Sequence, residues 1–174
     1  MGDVNDFLPP DYEVPTDNHY LKFQAGDNKF RILSKPIIGF EDWKDKKPLR
    51  FHMKDKPSCP IDPKQPIKHF WAMVVWSYDQ EKVLILEITQ GGIQKKIKAL
   101  AADADWGDPM SYDIKVTKSG SGMDTEYEVK PIPHKPVADN IKAAYGVLTI
   151  DLNQLFTGGD PFNPQPHIGE INAF

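Results

Sequence analysis

Two stretches of the chain gather side chains that act together on one kind of ligand. KDKKPLRFHMKDK, residues 44–56, carries Lys44, Lys46, Lys47, Arg50, Lys54 and Lys56. KHFWAMVVWSY, residues 68–78, carries Lys68, Phe70, Trp71, Trp76 and Tyr78. Lysine and arginine neutralise phosphates, and flat rings stack on bases. Stacking is worth ~1–3 kcal/mol per base and ignores sequence, because every base has a π face. Trp43, Phe51, Lys115 and Tyr127 complete the candidate contact residues for a single strand. With period two, Phe70, Ala72, Val74, Trp76 and Tyr78 share one face of the 68–78 run. His69, Trp71, Met73, Val75 and Ser77 share the other. The expectation is that one face meets the core while rings on the other face, or at the strand ends, meet bases. Trp71 and Trp76 have opposite parity, so either could be the inward one.

The charge distribution points the same way. The net charge is −4, yet all 21 basic residues lie between 21 and 150, where they outnumber the acids. Residues 1–20 contain Asp3, Asp6, Asp11, Glu13 and Asp17 with no Lys or Arg, and 151–174 contain only acids among their charged residues. A basic body between acidic ends suits a polyanion binder whose ends face other proteins or other copies of itself. With 174 residues and 40% hydrophobic content, the chain suits one core. No apolar run approaches the ~20 residues that span a bilayer, and the acidic, Pro-broken start does not read as a signal peptide. The single Cys59 permits no internal disulfide, and a cytoplasmic protein is expected.

The elements that must position these side chains read as mainly β. Ala25-Gly26-Asp27-Asn28 is a turn signal. The alternation from Lys29 predicts a strand running to about Trp43, with a bulge or edge at Pro36. Residues 44–67 read as a long basic loop holding a short strand near Arg50–Met53. Residues 68–89 read as a hairpin turning at Asp79-Gln80-Glu81. Its second strand, Lys82–Thr89, is apolar on both faces and so expected to be central. Ile93, Ile97 and Leu100 form one helical stripe, with Lys95, Lys96 and Lys98 off it. Tyr112–Ile132 reads as a second hairpin, VADNIKAAYG as a weak helix, and TIDLNQLF as a last short element. The order fits a five-stranded OB-fold Greek-key barrel with a long loop and extended termini. The expected divisions are an acidic arm at 1–20, the strand-binding domain at 21–157 and a tail at 158–174.

LKFQAGDNKFRILSKPIIGFEDW, HFWAMVVWSYDQEKVLILEITQGGIQKKI and DADWGDPMSYDIKVTKSGSGMDTEYEVKPIPHKP follow one another in the chain. Together they resemble the single-stranded DNA-binding proteins of tailed bacteriophages, the gene-32-like OB-fold family, over roughly residues 20–165. The resemblance implies sequence-independent coating of single-stranded DNA in phage replication, recombination and repair, inside an infected bacterial host cell. It also implies replication or recombination partners met through the acidic N-terminus or the C-terminal tail, and self-association on DNA. By position, Phe70 and Trp71 fall where that family has Tyr-Trp at a strand start, and Phe51 falls at an exposed ring of its basic loop. The best-known branch holds zinc with one His and three Cys. Cys59 with His52 and His69 does not make such a site, so a zinc-less variant with no metal and no cofactor is expected.

Three other readings compete. Asp103, Asp105 and Asp108 could hold Mg²⁺ in a metal-dependent nuclease, but beside Gly and Pro they read as a cap and a turn. No nucleophile–base spacing or phosphate-cradling glycine loop accompanies them, so no enzymatic activity is expected. An RNA-binding OB-fold would use the same side chains, since RNA and DNA differ in a contact to the 2′-hydroxyl. A barrel that only bridges proteins would use the rings as a dry interface.

Overall fold

The computed structural model describes residues 19–163. The acidic arm up to residue 18 and the tail from residue 164, with Phe174, lie outside them. The chain forms β1 (Gly26–Ile32), β2 (Ile37–Lys44), β3 (Lys47–His52), β4 (Lys68–Ser77), β5 (Lys82–Ile88), α1 (Gly91–Ala102), β6 (Asp113–Ser119), β7 (Glu126–Pro131) and α2 (Asp139–Gly146). The architecture is a seven-stranded antiparallel sheet in the order β3-β2-β4-β1-β6-β7, with β5 added on β4. Among the described residues the sheet is open, with β3 and β7 at its ends.

The two strands beyond the expected five have local causes. The run from Lys29 to Trp43 is broken at Leu33–Pro36, where the proline ring removes a ladder donor. Both halves still pair with β4, through Phe30↔Ser77 on one side of the break and Ile37↔Ala72 on the other. In the gap the Leu33 N–H donates to the Val74 carbonyl (2.8 Å), and the Val74 N–H donates to Ser34 Oγ (2.9 Å). A hydroxyl thus replaces the missing ladder acceptor. The other is β3, which overlaps the short strand expected near Arg50–Met53 but starts three residues earlier and pairs with β2 from Lys44↔Lys47 to Gly39↔His52. Its two-residue turn, Asp45-Lys46, has positive φ at both positions (51° and 64°), the twist a tight hairpin prefers. Neither residue is glycine, so the hairpin tip holds strain of order 1 kcal/mol per residue.

β4 is buried on both faces, which explains its two sets of rings. On one face Met73 and Val75 join Phe30, Ile32, Leu84, Leu86, Ile88, Ile114 and Val116 beneath Ile93, Ile97 and Leu100 of α1. On the other, Phe70, Ala72, Val74 and Trp76 join Val83 and Ile85 against Ile141, Leu152 and Leu155. The segment from Val137 to Phe162, which reads only as a weak helix and a short element, therefore covers the sheet's second face. Pro161 is buried and Phe162 stacks on His19 at 4.2 Å, so packing continues into residues assigned by sequence to the tail. The expectation that β5 is central needs correction. It has one strand neighbour, β4, and its other edge is covered by His19–Leu21, through Ile85 N–H to His19 O (2.7 Å) and Leu21 N–H to Ile85 O (2.8 Å).

Gly39 of β2 leaves no room for a side chain against β3 and the second core. A Cβ there would lie 2.2 Å from the Phe51 carbonyl oxygen and about 3 Å from the rings of Phe70 and Phe156. Gly39→Ala is expected to destabilise the fold by about 1–3 kcal/mol, the range for overpacking a filled site. Urea denaturation checks this, and an unchanged midpoint would mean that the hairpin can move away from the sheet.

Candidate nucleic-acid interface

The candidate interface is organised by a buried acid near the end of β2. Asp42 is 1% exposed. Its Oδ1 accepts the Trp43 N–H (2.8 Å) and its Oδ2 accepts the Ile61 N–H (3.0 Å), which ties the long loop to the hairpin. Between them lies a cleft of about 880 Å³ walled by Trp43 and lined by Lys44, Lys46, Lys64 and Lys68, against Asp45 and Asp62. Asp62 is engaged locally, its Oδ1 accepting the Lys64 N–H (2.9 Å). The cleft is therefore positive, with a half-buried indole in its wall. Lys47 stands opposite Lys44 across the hairpin. Lys64, from the loop, is a cleft residue the sequence reading missed, because loop residues carry no periodicity to place them.

A ring-bearing surface lies along the same strands. Register puts Ile38 beside Trp71, and Phe40 beside both His69 and Phe51, on the face of the sheet that carries Met73. There, Ile38 and Leu49 are exposed while Phe40, Phe51, His69 and Trp71 are half-buried. Phe40 lies 5.4 Å from the His69 ring, and Lys56 Nζ sits 4.8 Å from the Phe40 centroid, a cation over a π face. Gln94 of α1 holds the start of β4 in place, donating to the carbonyls of His69 (3.1 Å) and Ile88 (2.9 Å). Lys54 is exposed on the turn after β3. Phe40, Ile38 and His69 could have been found by carrying the period-two argument into the first strand with its break in place.

Other expected contact residues are placed elsewhere. Phe70 and Trp76, 0% and 6% exposed, belong to the second core and present no ring face to a ligand. Arg50 is held between Glu41 and Glu87, with its side chain 10% exposed. Tyr78 donates from its hydroxyl to Asp113 Oδ1 (2.8 Å) beneath Lys29. Lys115 pairs with Asp27 at 3.8 Å on β6, and Tyr127 packs against Phe23 on β7, across the sheet order from the hairpin. Trp43, Lys44, Lys46 and Lys68 are thus brought together, with Lys47 beside them. Phe51, Lys56 and Trp71 fall on the ring-bearing side. Asp103 and Asp108 act as caps, accepting the N–H groups of Asp105 (2.8 Å) and Met110 (2.9 Å) respectively.

Behind Trp43 is a second, smaller pocket containing Tyr20, Glu41, Arg50 and Glu87. Burial, and then a hydrogen bond with Glu87, push the Glu41 carboxyl up to about 8. Arg50, between the two carboxylates, opposes that rise without cancelling it. A carboxyl whose folded pKa is raised stabilises the fold at low pH and loses that contribution as pH rises towards the folded value. Stability should therefore fall between about pH 5 and pH 8.5. Glu41→Gln should flatten that slope, as measured by denaturant midpoints across the range. A slope unchanged by the substitution would assign the titration to another group.

No family pattern, no curated protein and no solved structure matches the chain. Among the described residues no helix is long and apolar enough to cross a membrane.

Proposed function

We propose that this protein binds single strands of nucleic acid without reading their sequence, with single-stranded DNA as its ligand. The observation that carries this reading is the cleft in which Lys44, Lys46, Lys64 and Lys68 surround Trp43. The same strands, β2, β3 and β4, carry Phe40, Phe51, His69 and Trp71 on the face opposite Trp43, so rings flank the lysines on both sides of this sheet edge. Phosphates following the lysines would set a base against Trp43, the ring that lines the cleft, and a strand passing over the sheet edge would meet the rings of the other face. An OB-fold reading is supported by β1 and β2 pairing with β4 as one broken strand, by β1 also pairing with β6, and by α1 standing between the β4–β5 and β6–β7 hairpins. The implied role is to coat single strands during phage replication, recombination and repair, an assignment resting on the sequence resemblance.

Titrating intrinsic Trp fluorescence with oligo-dT at two salt concentrations tests this. Quenching is expected, with affinity falling on a log–log salt plot by about 0.7 per phosphate neutralised. Absence of quenching and of any salt-dependent binding would overturn the proposal. Oligo-rU as competitor separates DNA from RNA preference.

A further inference from the structure

A mostly apolar cavity lies apart from both the lysine cleft and the Glu41 pocket. It measures about 260 Å³ and lies between α1, the β1–β2 break and β4. Its walls are Ile32, Pro36, Trp71, Met73, Ile97 and Met110. Two polar side chains in the lining are already engaged, Ser34 Oγ by the Val74 N–H and Asp108 Oδ1 by the Met110 N–H. Exposed Lys35 and Lys98 also border it. The slot opens to solvent beside exposed Lys35, Pro36, Lys98 and Ala101, so a ligand can enter it without displacing the core. The chemistry fits a flat, largely apolar ring carried on an anionic backbone. Trp71 also joins this cavity to the ring-bearing face through its strand neighbour Ile38.

We propose that this slot takes one base out of the bound strand and favours thymine. The inference rests on the single-strand reading above and extends it to a base preference. With hardly a free hydrogen-bonding group in its walls, the slot discriminates by size and apolar surface. The 5-methyl of thymine is the one base substituent that gains from such a lining, and Lys35 and Lys98 would hold the phosphates on either side. Burying one methyl is worth about fourfold in affinity.

The test compares dT and dU oligomers of equal length, which differ only in that methyl, against the full chain and against Ala101→Phe. Ala101 lines the slot from an exposed position on α1, so a phenyl group there fills the slot without entering the core. The native chain should bind the dT oligomer about fourfold more tightly than dU. In Ala101→Phe the ratio should collapse towards one while the salt slope is unchanged. Photocrosslinking of a 5-iodouracil oligomer should map to Trp71, Met73 or Met110 in the native chain and be lost in the variant. Equal affinities for dT and dU, or a methyl preference that survives in Ala101→Phe, would overturn the slot and leave the strand-binding reading standing. No binding to either oligomer at low salt would overturn both.

Discussion

Replacing Lys44, Lys46, Lys64 and Lys68 together by Ala is expected to lower affinity for a single strand by about two orders of magnitude at 0.15 M salt. Each phosphate contact with a single strand contributes about 0.7 to the log–log salt slope, so removing four contacts removes almost three from it. Extrapolated from 1 M down to physiological salt, that difference is roughly two decades in affinity. All four lysines are exposed, so the variant should keep the stability of the parent. The measurement is a salt titration of oligo-dT affinity for both proteins. Parallel salt dependences would remove the cleft from the binding path, whatever the absolute affinities. Trp43→Ala should weaken binding with little effect on the slope, because an indole contributes stacking and releases no counterions.

The second large effect is on stability and centres on Asp113. Its side chain is 0% exposed and faces Arg31 at 2% exposure, Nη1 to Oδ1, at 3.4 Å. Arg31 donates further to the carbonyls of Met110 (3.1 Å) and Lys135 (2.9 Å). Lys135 and Lys29 reach the other carboxylate oxygen at 3.1 and 3.7 Å. Burial and the hydrogen bond to Asp113 push the Tyr78 hydroxyl far above its ordinary pKa, keeping it a donor. Asp113→Ala leaves the buried guanidinium uncompensated and is expected to cost about 3–5 kcal/mol. The double variant Arg31→Met with Asp113→Leu removes both buried charges and should be markedly more stable than Asp113→Ala. Guanidinium denaturation of the three proteins decides this. A loss below about 1 kcal/mol in Asp113→Ala would mean that solvent reaches the group. Tyr78, expected as a base-contacting ring, has its hydroxyl engaged by Asp113 and the Lys29 and Lys135 ammonium groups 4.5 and 5.7 Å from its ring centroid.

Much of the fold is legible in the chain because its causes are local. The stripe of Ile93, Ile97 and Leu100 specifies α1 and the face it buries. The turn at Asp79–Glu81 joins β4 to β5, and the alternation from Tyr112 to Thr117 puts Ile114 and Val116 inward. The concentration of lysine between 44 and 68 and the rings that follow are likewise plain in the sequence, and they identify the ligand chemistry proposed here. The same alternation could not say what covers each face of β4. Parity tells which side chains travel together, whereas cover comes from segments far along the chain. Ile141, Leu152 and Leu155 close over Phe70 and Trp76 and take those rings from any ligand, while the opposite face stays open at Trp71. Nor could the sequence separate Arg50 from the lysines around it. Glu41 and Glu87 capture that one cation, and they meet only when β2, β4 and β5 are laid side by side. Composition and period determined which chemistry is present and where strands and helix lie. Long-range packing decided which rings and charges remain available, because burial belongs to pairs of segments and not to either one alone.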